Sequence, residues 1–374
     1  MRRFLVFLAL WLGACWGVVG ALLAPVLPGG WGAIALLVVL TTLPLPLIVR
    51  ARHAGRVPGA AERVWLLRPF VYAQLLLPLA AIAGLLGALG GAPFGRAGDA
   101  GRGAMAAAAG VYAVLALCGY AGSRRLVRTD IVARWPDLPP GLDGMRIAQI
   151  SDTHVGPQTS RRHLARIADV AARANADLVV VTGDLVDDHA PDVAHYAAGL
   201  GTLSAPLGTY AVAGNHDVYA GWPAVRARLA ELPLAVLVNE WRWVERGGAR
   251  FVLLGTGDPA GRRGGAEAGG PDLDAAFAGV PADAFVVALA HNPALWPALV
   301  KRGVRLTLSG HTHWGQLAIP GLGWSLASPF NTHAMGGYVE GESVLYVHPG
   351  SNYWGIPFRL GTPPEVAIIE LRKG

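Results

Sequence analysis

No charged residue occurs from residue 4 to residue 49, a run of 46 residues. As a single helix it would be roughly 69 Å long at 1.5 Å per residue, more than twice the hydrocarbon thickness of a bilayer. A helix on the surface of a soluble domain needs a polar face, so a run this long without charge excludes an ordinary water-facing fold for this part of the chain. The run is broken at Pro25 and at Pro28-Gly29-Gly30, residues that end helices. Two helices are expected, over about 4–27 and 31–49. Further uncharged runs cover 69–95 and 103–123, each long enough to span. The expectation for residues 1–135 is an all-α membrane domain of four transmembrane helices. A cleavable leader over the first 24 residues fits less well, because three further spans follow and no clear small-x-small site precedes Pro25.

Charge is divided as sharply as hydropathy. Residues 1–135 carry thirteen Arg, no Lys and three acids (Glu62, Asp99, Asp130), a net of +10; the whole chain is +6, which leaves −4 for residues 136–374. The basic balance therefore belongs to the membrane part. The mildly acidic remainder lacks the footprint of a nucleic-acid binder, so no nucleic-acid partner is expected. Arginine is also patterned. Arg2 and Arg3 precede the first span; Arg50, Arg52, Arg56 and Arg63 lie between the second and third; Arg124, Arg125, Arg128 and Arg134 follow the fourth. The loop between the first two spans is uncharged, and that between the last two has only Arg96 and Arg102 beside Asp99. This alternation predicts a multi-pass protein of the inner (plasma) membrane with both termini in the cytoplasm. The spans contain almost no ionisable residue, which favours an anchor in the lipid bilayer over a conduit. Cys15 and Cys118 both lie in apolar stretches and read as packed small hydrophobes.

From Met145 the pattern changes. Short apolar runs at 146–150, 178–182, 210–213, 235–238, 251–254, 285–290, 305–308, 344–347 and 366–371 read as strands. Helical segments alternate with them, the clearest running from a Ser160 cap to about Asn175. The Gly- and Ala-rich stretch 259–271 reads as a loop. Such alternation over some 230 residues predicts an α/β domain, 136–374, with a largely parallel central sheet and its site at the carboxyl ends of the strands.

Polar clusters stand at those ends. Ser151-Asp152-Thr153-His154 follows the first strand, Gly183-Asp184 the second and Gly214-Asn215-His216-Asp217 the third; His291-Asn292-Pro293 and Gly310-His311-Thr312-His313 follow two later strands. Alternate residues of an extended segment share a face, so Asp152 and His154 offer an oxygen and a nitrogen together, and His311 and His313 two imidazoles. Asp184 is a natural bridge between two cations, since one carboxylate has two oxygens, and Asn215 adds a neutral carbonyl oxygen. Nitrogen and oxygen ligands without thiolate suit two divalent ions of Mn, Fe, Zn, Co or Ni. Each fragment alone is ordinary turn chemistry. Five in order, each ending a strand, are not explained by turns, which have no need of imidazole.

The order D-x-H, G-D, G-N-H-D, H and G-H-x-H resembles the calcineurin-like metallophosphoesterase superfamily over about residues 145–371, and the layout with N-terminal spans resembles its bacterial transmembrane members. The resemblance implies a four-layer α/β/β/α sandwich of two mixed sheets. It implies that Asp152, His154, Asp184 and His313 hold one metal and Asp184, Asn215, His291 and His311 the other. His216 would assist the leaving group, with Asp187 orienting it. The implied reaction is hydrolysis of a phosphodiester or pyrophosphate, lipid-linked in the leading reading, by attack of metal-activated hydroxide. A tethered phosphodiesterase for a soluble nucleotide and a silent metal-binding membrane scaffold are the competing readings. Trp314 stands where the family often has Gly, and Asp188 where protein phosphatases of the superfamily carry Arg, which disfavours a protein phosphatase. The remaining histidines, His163 among them, read as surface residues or cleft lining. Nothing in the chain speaks to oligomeric state.

Overall fold

The computed structural model describes residues 2–53, 58–264 and 266–374. Arg56, one of the loop arginines, and Gly265 of the 259–271 loop lie outside the described residues. The chain divides into two compact units, Met1–Cys118 and Gly119–Gly374.

The first unit is helical: α1 (Arg2–Leu23), α2 (Gly30–Thr42), α3 (Pro44–His53), the single turn α4 (Ala60–Glu62) leading through Arg63–Leu67 into α5 (Arg68–Gly91), and α6 (Ala97–Gly122), whose last turn passes into the second unit. Among the described residues, three stretches are long and apolar enough to cross a bilayer: Gly30–Leu47, Ala60–Phe94 and Ala97–Gly122. The apolar part of α1, Ala9–Leu23, is shorter. Cys15, Val19 and Leu22 of α1 pack on Leu77, Ala80 and Ala81 of α5 and on Met105 of α6. A Cβ at Gly87 would lie 2.6 Å from both the Ala100 carbonyl oxygen and the Ala104 side chain; small residues bring α5 and α6 this close, as apolar helices in lipid require. The large apolar side chains, Leu86, Leu89 and Leu117 among them, point outward.

The second unit contains β1 (Val127–Trp135), β2 (Arg146–Ile150), β3 (Leu178–Val181), β4 (Thr209–Ala211), β5 (Ala235–Val236), β6 (Glu240–Arg246), β7 (Ala249–Gly255), β8 (Val286–Leu289), β9 (Leu306–Ser309), β10 (Ala318–Ile319), β11 (Trp324–Ser325), β12 (Gly336–Glu340), β13 (Ser343–Val347) and β14 (Glu365–Lys373). They form two six-stranded sheets, β1-β14-β2-β3-β4-β5 and β12-β13-β9-β8-β7-β6, and the separate hairpin β10-β11. Both sheets are mixed: β14 runs antiparallel to β2, β6 to β7 and β12 to β13. The single, largely parallel sheet expected from the strand–helix alternation is therefore corrected to two. Apolar runs reveal strands but not which sheet each joins, and the antiparallel edges come from tight hairpins such as the two-glycine turn Gly247-Gly248, both with positive φ.

Alternate residues of one strand serve different cores. Leu178 and Val180 of β3 share a cluster with Ile147, Phe251, Leu253, Val287 and Leu289, which lies between the sheets. Val179 and Val181 pack instead with α7 (Arg161–Arg173), α8 (Val193–Leu200) and α10 (Trp222–Leu229), which follows the short α9 (Asn215–Tyr219). On the other sheet, Val252 and Ala288 pack with α11 (Leu273–Phe277) and α12 (Trp296–Val300). Strands buried on both faces explain the continuous apolar runs. Ser160 stands at the start of α7, but its side chain makes no cap bond.

The division at residue 135 suggested by composition also moves. β1 pairs in parallel with β14 along its whole length, from Val127↔Glu365 to Trp135↔Lys373, and Trp135 is buried edge-on against Phe285 at 5.3 Å. Arg128 and Arg134 lie on the exposed face of this strand, so they belong to the sheet as well as to the flank of the last apolar helix.

Candidate metal centre

The parallel strands of both sheets end at one edge, and the polar clusters follow them directly. β2 delivers Asp152 and His154, β3 Asp184, β4 Asn215 and His216, β8 His291, and β9 His311 and His313. The backbone here is bent sharply. Asp152, His154, Asp184, His311 and His313 all have φ between 38° and 72°, a region L-residues avoid unless their surroundings hold them there. Close packing enforces it: a Cβ on Gly214 or Gly310 would collide with the Asp184 or Asp152 carboxylate.

The seven side chains expected to be ligands converge. His154 Nε2 and His313 Nε2 are 2.8 Å apart. Asp152 Oδ1 lies 3.3 Å from His313 Nε2, and Asp184 Oδ2 lies 3.5 Å from His154 Nε2. On its other side Asp184 Oδ2 is 3.3 Å from His291 Nε2. Asn215 Oδ1 is 3.2 Å from His291 Nε2 and 2.7 Å from His311 Nδ1. Ligands about 2.1 Å from one ion lie roughly 3.0–3.4 Å from each other; the separations here, from 2.7 to 3.5 Å, bracket that range, so the residues on either side of Asp184 could hold metal ions.

The donor chemistry fits cations. His291 Nδ1 donates to the Thr182 carbonyl at 2.7 Å, so in the neutral ring Nε2 carries no proton, yet it faces a carboxylate and an amide oxygen. Acceptors gathered without a donor require a positive charge among them. In the absence of a metal that charge is a proton. Burial lowers the His291 pKa, but the nearby carboxylates, Asp184 foremost, outweigh it and raise it well above the usual value. A divalent ion supplies the same charge in the proton's place. Asp184 is held well below the carboxylate range by His291, His154 and His216 although burial opposes this. Burial and the neighbouring His291 push His311 down to about 4, and burial with His154 takes His313 well below its usual value, so both keep a lone pair at neutral pH.

Asp152 is locked by its neighbours: Ser151 Oγ donates to Oδ2 at 2.6 Å and the His311 amide to Oδ1 at 3.0 Å. His216 is adjacent to the cluster, its amide donating to Asp184 Oδ1 at 2.8 Å and its ring 4.6 Å from that of His154. Its Nδ1 donates to Asp187, but to the main-chain carbonyl at 2.7 Å. The Asp187 carboxylate is 3.7 Å from His216 Nδ1 and 3.4 Å from His154 Nδ1, so the atom that anchors His216 is the carbonyl.

Two buried residues have structural roles that the sequence did not assign. Asp217 accepts from the amides of Gly214, Val186 and Leu185 and so ties the β3 and β4 loops together. Its only signal was its place in the Gly-Asn-His-Asp block. Arg359 is fully buried and donates to the carbonyls of His313, Pro349 and Asn352 and to His313 Nδ1 at 2.9 Å; burial pushes it down to about 9. A lone arginine in a loop gives no pattern to detect. His163 is not simply a surface residue: its Nε2 donates to Ser351 O at 2.8 Å, which steadies the loop beside the site.

Comparison with known proteins agrees with this geometry. Residues 145–315 match the calcineurin-like phosphoesterase family. The chain is 33% identical over 274 residues to the zebrafish (Danio rerio) transmembrane protein with metallophosphoesterase domain, covering 70% of this chain and 61% of that one. It is 34% identical over 248 residues to the bovine (Bos taurus) protein of the same name, covering 63% and 54%; the chain thus spans less than two thirds of either relative. With the uncharacterized metallophosphoesterase of Aquifex aeolicus it shares 31% identity over 235 residues, 63% of this chain and 87% of that one. A match of that extent on a site of this composition places the chain in the calcineurin-like metallophosphoesterase family.

Proposed function

We propose that this chain is a membrane-anchored phosphoester hydrolase with two divalent metals, acting on a phosphodiester or pyrophosphate, with a lipid-linked group as the leading substrate. The observation that carries this is the gathering of seven acceptor atoms around two points that share Asp184. Asp152, His154, Asp184 and His313 would hold one ion and Asp184, Asn215, His291 and His311 the other. The ions, when bound, supply Lewis acidity toward the phosphoryl group and make water a nucleophile at neutral pH. His216, anchored through Nδ1, can in its protonated form pass a proton from Nε2 to the departing oxygen. Asp187 holds that ring through its carbonyl. Exposed Asp188 disfavours the dianion of a phosphomonoester.

The second unit is read as the family's four-layer α/β/β/α sandwich. The first is read as a four-helix, multi-pass anchor in the inner (plasma) membrane, with α1 as the fourth span and the site facing the cytoplasm; the alternation of arginine-rich and arginine-poor loops supports that orientation. The test uses the full-length protein purified in detergent. Elemental analysis should find about two divalent ions per chain, and bis(p-nitrophenyl) phosphate should be hydrolysed, with activity lost to chelator and restored by Mn²⁺. A metal-free protein that hydrolyses no phosphoester after reloading would refute the reading. A reporter fused after Gly374 should be active in the cytoplasm; activity on the far side would reverse the orientation.

A further inference from the structure

We infer that the hairpin β10–β11 and the segment after it form a bilayer-docking surface at the mouth of the metal site. The sequence contributes the first observation: residues 306–339 contain no Asp, Glu, Lys or Arg. The structure contributes the second. Ile319, Leu322, Trp324, Leu326 and Phe330 are all exposed on this segment, Leu322 at 76% and Phe330 at 82% of their surface. They are not on a slack loop that could fold inward. The Leu326 amide donates to Leu317 O at 2.8 Å, the Ser325 amide to Ser328 Oγ at 3.0 Å and the Phe330 amide to Ala327 O at 3.0 Å. The backbone is internally bonded, and its apolar side chains still face out.

The surface begins at the site. Gln316, three residues after His313, donates from Nε2 to Trp354 O at 3.0 Å and accepts from the Trp354 amide at 2.9 Å. Trp354, itself 51% exposed, carries its ring to 5.8 Å from that of His216. Trp354, beside His216, is thus tied through Gln316 to the base of the hairpin.

Composition selects the occupant. A nucleic acid would need Lys or Arg, and a specific protein interface ordinarily has a polar, partly charged rim. Leu, Phe and Trp without charge are the residues that enter the interfacial zone of a bilayer. The proposed anchor would also keep this unit tethered to a bilayer. Only residues 123–126 separate the end of α6 from β1, a reach of at most about 18 Å when fully extended. Docking by the hairpin would let a lipid keep its chains in the membrane while its phosphoester reaches the metals. That last step rests on the hydrolase activity proposed above and the nearness of the bilayer on the anchor proposed with it; docking itself is measurable without turnover.

The test places an environment-sensitive fluorophore on Leu322→Cys, Phe330→Cys or, as control, Asp283→Cys, in the full-length chain with Cys15→Ala and Cys118→Ala, reconstituted in phosphatidylcholine–phosphatidylglycerol nanodiscs. Asp283 is exposed and precedes β8, at the opposite end of that strand from His291. Nitroxide carried on the lipids should quench the probes at 322 and 330 several-fold more than the probe at 283. Equal quenching at the three positions, or probes at 322 and 330 shielded from water yet untouched by the lipid nitroxide, would overturn docking. The double variant Leu322→Ser/Phe330→Ser should lower the ratio of activity on vesicle-borne CDP-diacylglycerol to activity on bis(p-nitrophenyl) phosphate by roughly tenfold. Strong quenching contrast with no hydrolysis of any phosphoester would leave docking standing and remove the hydrolase; lipid hydrolysis without contrast would do the reverse.

Discussion

The two units of this protein use the same apolar alphabet for opposite purposes. In the helical unit many large side chains, Leu86, Leu89 and Leu117 among them, face outward, and small residues such as Gly87, Ala100 and Ala104 bring α5 and α6 together. In the phosphoesterase unit large apolar side chains fill two sheets and their helices, and the residues that matter most are buried polar ones: Asp152, Asp184 and His291 are 0–1% exposed. The lesson is about what each unit can tolerate. If the helical unit faces lipid, as proposed, a residue there is judged by its class, because any apolar side chain satisfies the same solvent. Inside the metal site a residue is judged by identity, because each atom completes a particular set of distances. Substitutions that preserve class should therefore be silent in one unit and ruinous in the other.

The sharpest break is expected at Asp184. Asp184→Asn keeps the shape but removes the shared charge, so metal content should fall at both positions and kcat should drop by at least about 10⁴-fold, the several kcal/mol that metal-ion catalysis contributes. Two ions still bound per chain in elemental analysis would remove Asp184 from its bridging place. His216→Ala comes next: kcat should fall about 10²–10⁴-fold with both metals retained, and by less for a nitrophenolate than for an alkoxide leaving group. An equal loss for the two would mean that His216 binds the phosphoryl group and does not move a proton.

Much of this could be read before the fold was known, for a physical reason. A metal ligand at a strand end is announced locally, by an apolar run, a glycine and one or two residues of the right chemistry. Asp184, Asn215 and His311, the proposed ligands that follow Gly183, Gly214 and Gly310, all carry that signature. β1 does not stand out in the sequence because its exposed arginines continue the pattern of a membrane flank, and because its partner β14 lies 238 residues away, beyond any local period. The bonds of Arg359 were invisible for another reason: it gathers the carbonyls of His313, Pro349 and Asn352 from irregular segments, which have no period to read. The exposed hairpin could be suspected from its lack of charge, but only the structure tells an apolar strand that is covered from one that is not.

Arg359 sharpens the comparison further, since it is a buried charge that touches a ligand without being one. Arg359→Met preserves bulk and removes the guanidinium, leaving the His313, Pro349 and Asn352 carbonyls without a donor. Metal affinity should weaken by about 10–100-fold, as for other groups that orient a ligand, and titration with Mn²⁺ would measure it. Arg359→Lys should recover only part, because an ammonium cannot serve all the acceptors at once. An unchanged affinity in Arg359→Met would confine the residue to holding its loop. The smallest effect is expected in the helical unit. Leu89→Phe should leave membrane insertion as it is, whereas Leu89→Asp should cost at most about 2.5–3.5 kcal/mol, the figure for the middle of a span. A glycosylation-tag insertion assay reads both, and a penalty for Leu89→Phe equal to that for Leu89→Asp would mean that α5 meets protein there and lipid is absent.

The strand order β1-β14-β2 has a consequence for how the protein comes into being. β1 and β2 are neighbours in the chain but not in the sheet; the slot between them is filled by β14. On the ribosome β1 and β2 emerge together and then wait for some 215 further residues, roughly 10–45 s at ordinary rates of synthesis. During that interval both carry unpaired edges, the hazard that open strands present to every neighbour. The slot also governs the chemistry, since the Ser351 amide, just ahead of the last strand, donates to Ser151 O beside Asp152 at 2.7 Å. A chain released early would be left with a gap through its first sheet and a loosened ligand loop. β14 thus acts as a keystone: translation has to reach it before the loops of the candidate metal site are braced.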